Sequence, residues 1–114
     1  MLSFNILIDD SAMPVILHPS TDFDQITIEH PKGFQVILIT ISGTIHAYRN
    51  RCPHIGIGLD WGDGRCKSGQ NELICAMHGA TFEADTGVCT GGPCAGDRLE
   101  RIAISIVDGK VVAE

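Results

Sequence analysis

Four residues of the 114-residue chain have the types and spacing to hold metal: Cys52 and His54 in "CPHIG", and Cys75 and His78 in "CAMHG". Two Cys and two His can close a tetrahedral structural zinc site, in which about two to five residues usually separate the members of a pair so that both wrap one ion. In the first pair a single residue, the rigid Pro53, stands between the ligands. That spacing suits two adjacent ions better than one.

The elements that must carry these ligands read as β-structure. Helical periodicity is nearly absent, while β-branched residues and period-2 alternation recur. "FQVILITI" (34–41) and "TIHAYRN" (44–50) flank Ser42-Gly43, and "RIAISIV" (101–107) and "KVVAE" (110–114) flank Asp108-Gly109. Both dipeptides signal tight hairpins, the second of type I′. Ile102, Ile104 and Ile106 alternate with Ala103, Ser105 and Val107, which predicts one buried and one lighter face. The stretch 51–96 holds every Cys and most of the Gly residues, as expected where backbone must approach a compact non-protein group. The expectation is a single all-β domain over 1–114, with a loop-rich metal-binding subdomain, roughly 50–94, inserted into a β base formed by 1–49 and 95–114.

A 2Fe-2S cluster supplies two adjacent ions: Cys52 and Cys75 on one iron, His54 and His78 on the other, each loop giving one ligand to each metal. The two motifs resemble the C-x-H-x-G and C-x-x-H-G pair of the Rieske family. "AYRNRCPH" before the first pair, "GATFEADTGVC" after the second and "GGPC" beyond it extend the resemblance. It covers roughly 34–114, and the earlier strands only by general pattern. It implies the Rieske fold, an antiparallel β-sandwich or barrel base carrying a cluster-binding subdomain. The alternatives are a structural zinc module and a scaffold that keeps the ligands without a cluster. The 20 residues between His54 and Cys75 exceed the commoner family interval, and the excess is assigned to "GDGRCKSGQN", read as a polar hairpin tip.

Replacing two thiolates by neutral imidazoles leaves the oxidised cluster uncharged and easier to reduce, hence potentials of about −150 to +300 mV against about −400 mV for four-Cys plant-type clusters. The resemblance implies that the electron resides on the His-bound iron and that the imidazole edges face solvent. High-potential respiratory relatives carry a Ser and a Tyr where this chain has Ala80 and Phe82, and a pair of disulfide-forming Cys where it has Ile57 and Met77. Fewer donors to the cluster sulfurs imply a low-potential member.

Cys66, Cys89 and Cys94 remain, and are read as small buried or partly exposed thiols. A Cys89–Cys94 disulfide or a redox-sensing role is the alternative. His18, His30 and His46 read as surface or satisfied residues. Ile55, Ile57, Leu59, Trp61 and Met77 crowd the ligand loops, either shielding a cluster or forming an apolar rim for a partner.

The formal charge of −6 and pI near 5.2 argue against a nucleic-acid groove or an anionic membrane surface. The opening residues lack a basic signal region and no apolar run approaches a membrane span, so a cytoplasmic location is expected. A chain of this length has no room for a second, mononuclear iron domain. The resemblance therefore implies a one-electron carrier and not an enzyme, taking electrons from an NAD(P)H-dependent reductase and giving them to a terminal oxygenase. The alternative is a small Rieske-type subunit of a larger oxidoreductase such as nitrite reductase or arsenite oxidase.

Overall fold

The computed structural model describes residues 15–53, 56–60, 62–69, 71–77 and 79–114. Among them are ten strands and no helix: β1 (Val15–His18), β2 (Gln25–Glu29), β3 (Gln35–Ile41), β4 (Thr44–Arg49), β5 (Lys67–Ser68), β6 (Glu72–Ile74), β7 (Thr81–Glu83), β8 (Cys89–Gly91), β9 (Ile104–Val107) and β10 (Lys110–Ala113). They form three antiparallel sheets, in the orders β1-β10-β9, β2-β3-β4 and β5-β6-β7-β8.

The run "VILITI" in β3 explains the layering. A run apolar at four successive positions, Val36 to Ile39, is one covered on both faces. Ile37, Ile39 and Ile41 pack with Tyr48, Leu73, Phe82 and the cysteines, whereas Val36 and Leu38 pack with Leu17, Ala47 and Val111. The middle sheet thus carries two cores, one of them shared with the four-stranded sheet of residues 67–91. Ile37, Leu38 and Ile39 have no exposed surface, and truncating any one to Ala costs about 2–5 kcal/mol in lost transfer and cavity terms.

Both expected hairpins form. Ser42 and Gly43 have φ of 51° and 82°, and Asp108 and Gly109 have φ of 51° and 75°, the paired positive values that a type I′ turn demands. The expected strand 101–107 divides. Arg101 bridges to Tyr48 and the Ile102 amide donates to the Ala47 carbonyl, extending the β2-β3-β4 sheet, while β9 begins at Ile104 in the other sheet. An apolar run has the same alternation whichever sheet it joins, so the switch left no mark in the pattern. Ile106 and Val107 are about half exposed, which corrects the expected buried face of this strand.

The segment 62–71 is also more than a hairpin tip. The β5–β6 hairpin accounts for its second half. In the first half, the Gly64 carbonyl accepts from Thr27 Oγ1 (2.8 Å) and Gln25 Nε2 (3.1 Å), and the Cys66 amide donates to Gln25 Oε1 (3.1 Å). The extra residues are therefore seated on β2.

Candidate metal centre

Asn50, immediately after β4, sets the first cysteine loop. Its Nδ2 donates to Gln35 Oε1 (2.9 Å) and Asp60 Oδ1 (2.8 Å), and its Oδ1 accepts from the Leu59 amide (2.8 Å). One buried amide thus fixes both ends of the segment from Arg51 to Asp60. Asp60 Oδ2 in turn accepts from the Gly62 (2.9 Å) and Gly64 (2.8 Å) amides. Burial works against the charge on Asp60, but the hydrogen bonds from Asn50, Gly64 and Gly62 outweigh it and hold the carboxyl below its usual pKa. The sequence reading overlooked Asn50 and Asp60. The only local signal was the turn-forming alternation of Asp and Gly in "DWGDG".

Within this frame the two cysteine loops close in the same way. The Cys52 amide donates to the Ile57 carbonyl (2.6 Å), and the Gly56 amide donates back to the Cys52 carbonyl (2.7 Å). The Cys75 amide donates to the Ala80 carbonyl (2.7 Å), and the Gly79 amide to the Cys75 carbonyl (2.8 Å). Gly56 and Gly79 have φ of 74° and 72°, a left-handed turn that favours Gly. The Ala76 amide, donating to the Leu59 carbonyl at 2.7 Å, ties the second loop to the segment that follows the first.

Cys52 and Cys75 have no exposed surface. Ile57 and Met77, one from each loop, are 38% and 49% exposed. His54, His78, Ile55 and Trp61 lie outside the described residues, so the expectations placed on them concern the sequence only. Two buried thiols on matched loops, each loop carrying an imidazole in its sequence, are a donor set that fits a cluster with one thiolate-bound and one imidazole-bound iron.

The remaining cysteines separate into two environments. Cys66 is in the stem of the 62–74 segment, its carbonyl accepting from the Ile74 amide; burial pushes its thiol up to about 12, with Asp60 and Asp63 adding to the shift. Cys89 and Cys94 come together, with 2.8 Å between their sulfurs, in the same buried core as Cys52. Burial first, then Cys89 and Cys52, raises the Cys94 pKa. Cys94 reaches this place because Gly92 lies against the second loop: a Cβ at Gly92 would stand 2.8 Å from Ala80 Cα.

Tyr48 anchors the turn that follows β7. Its hydroxyl donates to the Ala84 carbonyl (2.8 Å) and accepts from Arg101 Nη2 (2.9 Å), which also donates to the Asp85 carbonyl (2.6 Å). Of the other histidines, His30 is buried and stacked on Phe34, and its Nδ1 accepts from the Lys32 amide, while His46 Nδ1 is 3.2 Å from Arg101 Nη1. His18 packs edge-on against Phe23. All three have structural partners, as expected.

Comparison with known proteins bears on the same residues. A segment of 56 residues is 46% identical to Oxidoreductase NdmD of Pseudomonas putida, covering 49% of this chain and 9% of that protein. The chain thus spans a small part of the length of that curated relative. The fold is similar to that of the Sphingomonas yanoikuyae B1 ferredoxin, with a TM-score of 0.73 and 19% identity over 90% of this chain and 98% of the other. It is similar also to a chain in the complex of reduced oxygenase and oxidized ferredoxin in carbazole 1,9a-dioxygenase, with a TM-score of 0.70 and 18% identity over 87% and 100%. The profile described as the Rieske [2Fe-2S] domain matches residues 17–107, a span that takes in both cysteine loops and strands β2 to β9. The chain therefore belongs to the Rieske family, whose cofactor is a 2Fe-2S cluster.

Proposed function

We propose that the chain is a one-electron carrier whose cluster is held by Cys52, His54, Cys75 and His78, within a cluster-binding subdomain of roughly residues 50–94. The observation that carries the reading is the matched closure of two loops, each burying a cysteine and leaving an apolar side chain, Ile57 or Met77, exposed beside it. The cluster, when bound, supplies a one-electron couple near the protein surface.

The chain's own residues keep that couple in place and dry. Leu59, Ala80 and Phe82, all without exposed surface, exclude water behind the loops. Asn50 and Asp60 hold the first loop, and the Ala76–Leu59 hydrogen bond sets the second against it. Ile57 and Met77 offer an apolar rim of the modest size that suits a brief encounter with a redox partner. A groove of about 430 Å³ between β4 and β9 is lined by Thr21, Gly43, Thr44, Ile45, Ile104, Ser105 and Ile106, none of them from the cysteine loops.

The donor is an NAD(P)H-dependent reductase and the acceptor a terminal oxygenase, in the cytoplasm. The likeness to a ferredoxin seen in complex with an oxygenase supports the second of these. Mixing the protein anaerobically with such a reductase and NADH should bleach its visible absorption, and adding the oxidised oxygenase should restore it. Failure to bleach with flavin-type and iron-sulfur-type reductases alike would contradict the carrier role.

The match to a small fraction of NdmD favours a second reading, a Rieske module working within a larger oxidoreductase. Stable co-purification with a catalytic subunit would favour it over a free carrier.

A further inference from the structure

The sheet β1-β10-β9 ends on β9, and among the described residues no strand pairs with its outer edge. The adjoining turn fixes which groups that edge presents. Asp108 and Gly109 form a two-residue loop, so Val107 and Lys110 make a hydrogen-bonded pair, and the alternation of an antiparallel ladder gives the same to Ser105 and Val112. The amides and carbonyls of Ile104 and Ile106 therefore point away from β10. The same count along the Ser42-Gly43 hairpin turns Ile45, Ala47 and Arg49 outward on β4. The Ile102 amide donates to the Ala47 carbonyl and the Arg49 amide to the Glu100 carbonyl, which leaves Ile45 beyond the paired part of that edge.

Between the two edges lies the groove of about 430 Å³, with Ile45, Ile104 and Ile106 on its walls. Ile45 and Ile104 border the second core, while Ile106 is 51% exposed. An open apolar edge of this kind is a template for one more strand.

The chain holds a segment of matching chemistry. Residues 2–8, "LSFNILI", set Leu2, Phe4, Ile6 and Ile8 in alternation with Ser3, Asn5 and Leu7, the period of a strand with one apolar face. The segment lies ahead of the residues 17–107 matched by the family profile. Where the described chain begins favours the edge of β9. Val15 pairs with Ala113, and Ala113 with Ile104, so the three form one row across the sheet. Both β1 and β9 run antiparallel to β10 and hence parallel to each other. A strand antiparallel to β9 would thus end level with the start of β1, about 14 Å away at three strand spacings. The linker of residues 9–14 reaches about 20 Å when extended.

We propose that residues 4–8 dock on the outer edge of β9 as an antiparallel strand, with Ile8 opposite Ile104, Ile6 opposite Ile106 and their side chains in the groove. The docked segment covers an edge that is otherwise open to a second copy of the chain. Its tether favours it over any separate peptide, because a short linker makes the encounter intramolecular.

The test is residue-resolved amide hydrogen exchange on the whole chain, at two protein concentrations, in wild type, Ile6→Asp, Ile6→Ser and the control Asn5→Asp. In Ile6→Asp the Ile104 and Ile106 amides should exchange at least about tenfold faster, the mark of a local opening. The Ser105 and Val107 amides, which face β10, should keep their wild-type rates, and so should every strand in Asn5→Asp. Ile6→Ser should give a smaller change of the same pattern and remains informative if the Asp variant does not fold.

Wild-type rates at Ile104 and Ile106 in both Ile6 variants would overturn the inference. So would acceleration confined to β1, which would place the segment on the opposite edge of the sheet, or protection that grows with protein concentration, which would make a second copy the occupant. None of these readouts depends on the cluster.

Discussion

Cys52 and Cys75 are related by backbone closure and not by the spacing of their histidines: each amide donates to the carbonyl five residues on, and each carbonyl accepts from a left-handed Gly four residues on. The first loop has its His two residues after the Cys and the second has it three after. Under the proposed function, this shared frame with unlike contents is what would supply one thiol and one imidazole from each loop to a cluster with two chemically different irons.

Loss of the Asn50 side chain should loosen the first loop. Asn50→Ala removes the acceptor of the Leu59 amide and the donor to Asp60 Oδ1, in a region where Leu59 has no exposed surface. Denaturant titration should show a loss of about 1–3 kcal/mol, the cost of an unsatisfied buried group. A loss below a few tenths would contradict the role given to this residue.

Asp60 predicts an acid sensitivity. Its pKa is lower in the folded chain than the ordinary value, so its contribution is fully present above the unfolded pKa of about 3.9 and is lost as pH falls through the folded value. Thermal midpoints measured from pH 6 down to pH 3 should fall more steeply for wild type than for Asp60→Asn. Parallel curves would show that Asp60 has no part in acid stability.

Two glycines with similar dihedrals should respond differently. Gly92 and Gly109 have φ of 89° and 75°, so Ala at either meets a left-handed backbone cost of about 1–2 kcal/mol. At Gly109 nothing lies within 4 Å of the added Cβ, whereas at Gly92 the Ala80 Cα is 2.8 Å away. Gly92→Ala should lose about 1–3 kcal/mol more by overpacking, and equal losses would mean that the 92–97 loop yields freely.

Hydroxyls placed behind the second cysteine loop should raise the midpoint potential. Ala80 and Phe82 are fully buried there and carry no hydroxyl of their own. Ala80→Ser and Phe82→Tyr should each titrate higher than wild type. Unchanged potentials in both would remove the explanation for a low-potential cluster.

Much of this was legible in the sequence because the governing signals are local. Ser42-Gly43 and Asp108-Gly109 specify positive φ at adjacent positions, and the cysteine motifs carry their own glycines. The division of 101–107 was not legible, since alternation is indifferent to which sheet receives the strand. Nor was the tether from Asn50 to Asp60, which depends on side chains ten residues apart with no periodic trace. Cys89 and Cys94 were recognisable as a possible pair; their burial in one core with Cys52 comes from tertiary packing, which leaves no local signal.

The most direct measurement is an EPR-monitored redox titration of anaerobically purified wild type beside Cys75→Ser. The account predicts a reduced-state signal with the low average g of an imidazole-ligated cluster, a midpoint in the lower part of the Rieske range, and loss of that signal in the variant. No signal in wild type, a signal typical of four thiolates, or a midpoint well into the positive range would contradict it.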